Sequence, residues 1–363
     1  MYTIIISVFA FLLFNFVIMA HEWGHFITAK KFGVKVNEFA IGMGPKVLKF
    51  ERGETLYSLR LLPIGGFCAL EGEESPEGKD SKKGEPEVKK VDPKRSFKNK
   101  PAWQRAIIMV AGVFMNMVVG ILLSILLTSM KENIYGTKIG GFAESYPVSS
   151  DGLKIGDELI SIDGYKTHVS RDVRFAAGVS NDNKCEVDVI RNGHLVHLKD
   201  VSFTVTDAEG NKSLGIYLDK IEKNFINVIS YAFADVGALI RNSVSSIVGL
   251  ISGKFSLKDV TGPVGIATQI GGIASREKSL LPAMLNITSF MMMISISLAV
   301  FNLLPFPALD GGRIIMLIPE VITGKPVNVK AEEIINTVGI VLLMLLTILI
   351  TYNDIISLFK GSQ

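Results

Sequence analysis

The chain has almost no cysteine: only Cys68 and Cys185 among 363 residues, with no CxxC spacing. One pair cannot build a disulfide framework, and a cysteine-based zinc site is excluded. Net charge is also low, +3, so no electrostatic footprint for nucleic acid is present. Histidine is sparse, at five residues, which makes any pairing of them informative. Charge is missing altogether from Tyr2 to Ala20. Apolar residues, by contrast, are abundant at 48 %, which argues against disorder and against a wholly soluble fold.

That first uncharged run is long enough to cross a bilayer. A cleaved signal peptide is the competing reading, but the run has no basic leading region and passes directly into HEWGH. Three further apolar runs follow, at Ala106–Met130, about Pro282–Leu304 and Ile334–Tyr352. None alternates with period two, so the expected class is an α-helical polytopic membrane protein with about four transmembrane helices, not a barrel. Basic residues collect between the first two runs, at Lys30, Lys31, Lys35 and Lys46 and again from Lys89 to Arg105. The positive-inside rule places that segment in the cytoplasm and the long 131–281 segment outside.

The spans divide the chain. Residues 1–33 hold the first helix. Residues 34–70 read as a membrane-associated β-hairpin turning at Glu51–Glu54, where Gly53 supplies the turn conformation. Residues 71–103 are charged and rich in Pro and Gly, a cytoplasmic linker without core-forming residues. The second helix occupies 104–130. Residues 137–206 form a β-rich domain: GLKIGDELISIDG is turn, strand and turn, and Asn192-Gly193 joins two alternating strands, a strong hairpin signal. These stretches resemble a bacterial PDZ domain. The resemblance implies a peptide groove beginning near Gly140, Gly141 and Phe142, which takes substrate tails or only excludes bulky proteins. Residues 222–281 carry apolar residues at helical spacing, consistent with a helix on the outer membrane face or a core helix of the outer domain. Residues 282–313 hold the third span, and 334–352 the fourth.

Chemistry concentrates at His21-Glu22-Trp23-Gly24-His25. Residues four apart share one helix face, so His21 and His25 can meet one ion, and Glu22 can reach a water on it. Ionisable groups at membrane depth are costly and are rarely there without a partner or a function. A catalytic zinc commonly takes three protein ligands and keeps one open position. The best third candidate is Asp310. It follows Pro305 and Pro307, which stop regular helix, and irregular backbone at membrane depth is tolerated only inside protein or beside a water-filled cavity. His168, His194 and His197 lie in the outer segment, and His194 and His197, flanking the hairpin turn, read as solvated strand residues.

HEWGH, Gly262-Pro263-Val264-Gly265-Ile266 and NLLPFPALDGG together resemble the site-2 protease family of intramembrane zinc metalloproteases, in its bacterial regulator of sigma-E protease form. The resemblance covers almost the whole chain. It implies Zn2+ held by His21, His25 and Asp310, Glu22 as general base, and a location in the bacterial cell membrane. It implies substrates that are single-pass membrane proteins such as anti-sigma factors, or remnant signal peptides, cut after a first protease acts outside. Asn302 and Asn116 are candidates to hold unwound substrate backbone; helix–helix hydrogen bonding is the alternative for both. Two features depart from the family pattern. Val113 stands where Pro is usual, and a single PDZ-like unit is present. A membrane-tethered PDZ binding protein with a non-catalytic metal site is the alternative reading, and a zinc transporter a weaker one.

Overall fold

A computed structural model describes residues 2–73, 92–144, 146, 152–180, 184–206, 212–277, 279–324 and 329–360. Most of the charged linker therefore lies outside the described residues. The chain divides into two units, one of residues 1–120 with 250–363, the other of residues 121–249.

In the first unit, α1 (Tyr2–Lys31) runs unbroken through HEWGH. It is followed by β1 (Val36–Arg52) and β2 (Thr55–Leu70). Gly53, at φ 67°, makes the turn between them. The pair is wider than a simple hairpin. Residues 38–41 face 66–69 and also 56–59. β2 therefore folds back across β1, bending near Gly65 at φ 84°. Residues 66–69 end up on an edge of this coiled sheet. The Gly65-Gly66 interruption that reads in sequence as an end of pattern is the bend that builds this edge.

Helix α2 (Ala102–Met130) is continuous, so Val113 leaves it unkinked. Packed around these elements are α5 (Pro263–Arg276), α6 (Leu280–Asn302), α7 (Asp310–Thr323) and α8 (Val329–Lys360). One apolar cluster joins Ile6 and Ala10 of α1 to Ala274 of α5 and Ile287 and Met291 of α6. A second joins Ala29, Val36, Leu70 and Ile108. HEWGH lies along α1 between these two clusters. The GPVGI stretch opens α5: Pro263 takes the first helical position, where its missing N–H costs nothing. Asp354 of α8 accepts from the Gly265 N–H at 2.8 Å and from the Gly262 N–H at 3.3 Å. The helix terminus thus satisfies a carboxylate that follows the long apolar stretch of α8.

The second unit contains β3 (Ile134–Phe142), β4 (Glu158–Ile162), β5 (Tyr165–Lys166), α3 (Ser170–Val179), β6 (Cys185–Arg191), β7 (His194–Val201), β8 (Thr204–Thr206), β9 (Lys212–Leu214), β10 (Ile216–Ile221) and α4 (Phe225–Ile251). The main sheet has the order β10-β3-β4-β6-β7, with β5 on β4. Its core is Ile139, Leu159, Ile162, Val173, Val187, Val189 and Phe203. Asn192 (φ 52°) and Gly193 (φ 80°) are both left-handed, the turn that dipeptide favours.

Helix α4 presents two different faces. Asp235 takes two hydrogen bonds from Arg171 of α3, at 2.6 and 3.0 Å, and Tyr231 bonds Ser170 at 2.8 Å. Arg241 donates to Asp172 at 2.7 Å. Phe225, Ile226, Phe233, Val244 and Val248 are exposed. The helix is therefore a packed member of this unit with an apolar outer side. By length and composition α4 joins α1, α2, α6 and α8 as a candidate span, so among the described residues five helices qualify where about four are expected from sequence. Residues 222–281 also do not act as one linking region, since α4 packs in this unit and α5 packs against α1 and α6.

One ion pair makes the stability of the β-rich unit depend on acid. Asp157 is buried and holds Arg191 through two hydrogen bonds at 2.7 and 2.8 Å. Burial raises its pKa, but Arg191 and the Lys154 N–H lower it more, leaving it below the ordinary carboxylate value. A carboxyl depressed on folding stabilises the fold above its unfolded pKa of about 3.9, and that stability is lost as pH falls through the folded value. Asp157→Asn should lower stability near neutral pH by about 3 kcal/mol. The difference from the parent should close below pH about 4. Thermal unfolding across pH measures this, and a pH-independent difference would remove the ion pair as its cause.

Candidate active site

HEWGH occupies the third quarter of α1, and its helical geometry turns His21 and His25 to the same side, both buried. Their Nε2 atoms stand 3.2 Å apart. Asp310 arrives from the far end of the chain. After α6 ends at Asn302, residues 303–309 form an irregular stretch in which Ala308 adopts φ 73°. That conformation is unusual for a residue with a Cβ and is a mark of functional loops. The stretch delivers Asp310 to the first turn of α7. A Cβ on Gly311 would stand 2.3 Å from the Leu303 carbonyl oxygen, so the glycine lets α7 fold back on this loop.

Asp310 Oδ2 lies 3.2 Å from His21 Nε2 and 3.5 Å from His25 Nε2. It accepts no well-aligned hydrogen bond, although it is buried. Three electron-pair donors therefore face one point, not one another. An ion held tetrahedrally at about 2.0–2.1 Å keeps its ligands roughly 3.3 Å apart. The three separations match that edge length, and two imidazoles with a carboxylate suit zinc. Among the described residues, His21, His25 and Asp310 are the only such group of three.

Glu22, one position along, points to the neighbouring face. Its Oε2 accepts from the Cys68 N–H of β2 at 3.0 Å. Asn302 Nδ2 is 3.3 Å from His21 Nε2. These groups line a cavity of about 830 Å³, within the usual range for ligand sites. Residues 65–70 form one wall, the sheet edge described above, and Ile266 of α5 adds to another.

The remaining sequence candidates fall elsewhere. Asn116 is fully buried and is not among the residues that line the cavity. Gly141 and Phe142 pair with Tyr217 and Ile216 of β10, while Ile139 bonds Gly156 and Asp157 on the other side. β3 thus lies between β10 and β4 in the sheet order. The outer edge on that side of the sheet belongs to β10. His194 and His197 are exposed on β7.

Two contributors were not visible as site residues in the sequence. Gly112 of α2 lies against the histidines: a Cβ there would stand 2.4 Å from His25 Nε2 and 2.8 Å from His21 Cε1. Arg313, one turn beyond Asp310, pairs with Glu73 at the end of the coiled sheet, and both line the cavity. Gly112 lies four residues before Asn116, but spacing alone does not say which side of α2 meets α1.

The chain is similar to known proteins along nearly its whole length. The model of peptidase family M50 matches residues 9–346. A protein of Clostridium perfringens provisionally named a zinc metalloprotease is 38 % identical over 96 % of this chain and 98 % of its own length. The zinc metalloprotease RasP of Shouchella clausii is 30 % identical, covering 96 % of this chain and 98 % of the relative. The regulator of sigma-W protease RasP of Bacillus subtilis is 29 % identical, covering 97 % and 99 %. With the family model spanning nearly every described element of the first unit, and relatives named for zinc aligned from end to end, this chain belongs to peptidase family M50, the site-2 proteases, and is a membrane zinc metalloprotease.

Proposed function

We propose that this protease cuts peptide bonds inside the membrane-spanning segments of single-pass membrane proteins, either anti-sigma-factor-like regulators or remnant signal peptides, after another protease has trimmed them outside. The observation that carries this reading is the convergence of His21 Nε2, His25 Nε2 and Asp310 Oδ2 at 3.2–3.5 Å beside an apolar-walled cavity. The name of the Bacillus subtilis relative, a regulator of sigma-W protease, favours regulatory substrates. The active site faces the cytoplasmic side, in keeping with the basic flank between α1 and α2. The PDZ-like unit of β3–β10 lies outside, where it filters substrates or takes their tails.

His21, His25 and Asp310 hold the zinc. Zinc, when bound, acidifies a water and polarises the scissile carbonyl. Glu22 accepts the water's proton and passes it to the leaving nitrogen. The Cys68 N–H holds one Glu22 oxygen at 3.0 Å and fixes the direction of the other. The Asn302 amide, beside His21, offers a donor to negative charge developing on the substrate oxygen. A helical substrate must unwind to expose its carbonyls, and each freed backbone group in lipid costs several kcal/mol. The rest of the edge at residues 66–69, apart from the Cys68 N–H held by Glu22, offsets this by pairing with the unwound stretch.

The test compares membrane peptides in cells carrying the parent enzyme with those in cells carrying Glu22→Gln. Uncut or outside-trimmed transmembrane fragments should accumulate only with the variant. Identical fragment profiles would reject an intramembrane substrate.

A further inference from the structure

The two histidines are unequally supported by the protein around them. His25 Nδ1 is 2.8 Å from the Ile108 carbonyl oxygen of α2, an arrangement that holds the ring and directs Nε2 toward an ion. His21 Nδ1 is buried and has no partner among the described residues. A histidine that ligates metal almost always gives its other ring N–H to an acceptor.

A second unpartnered group lies on the same face of α2. Asn116 is 0 % exposed, and both its side-chain oxygen and nitrogen lack hydrogen-bond partners among the described residues. Leaving such groups unsatisfied costs about 1–3 kcal/mol each. Ile108, Gly112 and Asn116 are spaced by four, so they lie in one row. Ile108 meets His25 and Gly112 meets His21, so α2 runs antiparallel to α1. Side chains on a helix lean toward its N-terminus. His21 therefore leans along α1 toward the level of Asn116, and Asn116 leans along α2 toward Gly112. The two orphan groups incline into the same gap. Ser295 of α6 donates to the Asn116 main-chain oxygen at 3.0 Å and fixes that level of α2. The helix-glue role for the Asn116 side chain has no partner on a facing helix.

We propose that Asn116 is a positioning residue for the zinc site: its side-chain oxygen takes the Nδ1–H of His21 through one buried water. Among the described residues no direct hydrogen bond joins them, and one water can bridge two buried polar groups. The bridge fixes the His21 tautomer, leaving Nε2 free for the ion, and does for His21 what the Ile108 carbonyl does for His25. This rests on His21 being a zinc ligand.

The experiment is chelator competition for zinc on the full chain in detergent, for the parent, Asn116→Leu, Asn116→Asp and His21→Ala. Asn116→Leu should weaken zinc binding about 10- to 100-fold, and Asn116→Asp, which keeps an acceptor, should retain parental affinity. The visible spectrum of the cobalt-substituted protein should shift in Asn116→Leu and not in Asn116→Asp. Unfolding of the zinc-stripped protein should be unchanged or raised in Asn116→Leu, since an unsatisfied buried amide is removed. A purely structural role gives the reverse: a lower unfolding temperature with parental zinc affinity. Should the leucine variant fail to fold, Asn116→Ala carries the same expectation. Parental zinc affinity in the folded leucine or alanine variant overturns the proposal, while zinc retained in His21→Ala overturns the ligand assignment itself.

Discussion

Glu22→Gln is expected to lower the turnover of a membrane substrate by about 10²–10⁴-fold, with zinc content unchanged. The amide keeps the size and the hydrogen bond geometry of the carboxylate, so the Cys68 N–H at 3.0 Å still has an acceptor. What it loses is the ability to take a proton. Glu22 is not among the three atoms that face the ion position, which are His21 Nε2, His25 Nε2 and Asp310 Oδ2. Proton transfer and metal retention should therefore separate cleanly in this variant. Turnover of a purified substrate helix together with zinc analysis of the same preparation measures both. Retained turnover would remove Glu22 as the base, and lost zinc would make it a ligand.

Gly112→Ala should be nearly as damaging, and for a reason that helix propensity would miss. In a helix interior, alanine is favoured over glycine by about 1 kcal/mol, so α2 taken alone predicts a gain in stability. The neighbours reverse this. The added Cβ would stand 2.4 Å from His25 Nε2, closer than atoms can approach. α2 cannot easily retreat, because the Ile108 carbonyl is bonded to His25 and the Asn116 carbonyl to Ser295. Overpacking of this kind costs about 1–3 kcal/mol, and here the imidazole rings yield first. Zinc affinity should fall at least tenfold and peptidase activity should largely vanish, while helix content by circular dichroism stays parental. Parental zinc affinity would mean that α2 does not press on the histidines as described.

How far the sequence discloses this arrangement follows from how local each signal is. HEWGH is legible because two ligands and an acid four residues apart need only one helix to come together. Asp310 is legible because prolines and a carboxylate at membrane depth demand a protein-lined site. Gly112, Asn116 and the Glu73–Arg313 pair depend on which sides of separate elements meet, and spacing within one element carries no such information. β1 and β2 show the same limit. Their apolar strands and turn are visible, but the double pairing of residues 38–41 is set by a bend at Gly65. The surroundings of Gly140, Gly141 and Phe142 are less legible for a related reason. Strand identity is readable around Ile139, while strand order, which makes β3 interior and β10 an edge, is a property of the whole sheet. α4 was ambiguous in sequence because it is apolar on both sides, and only its Asp235 and Arg241 contacts separate the packed side from the exposed one.

The most direct test is the zinc content of purified Asp310→Ala beside that of the parent. Removing this one carboxylate, 285 positions from the nearer histidine in the chain but 3.5 Å from it in space, should strip the protein of most of its zinc while the helices stay folded. A variant that keeps the parental zinc content would contradict the convergence of the two distant segments on one ion.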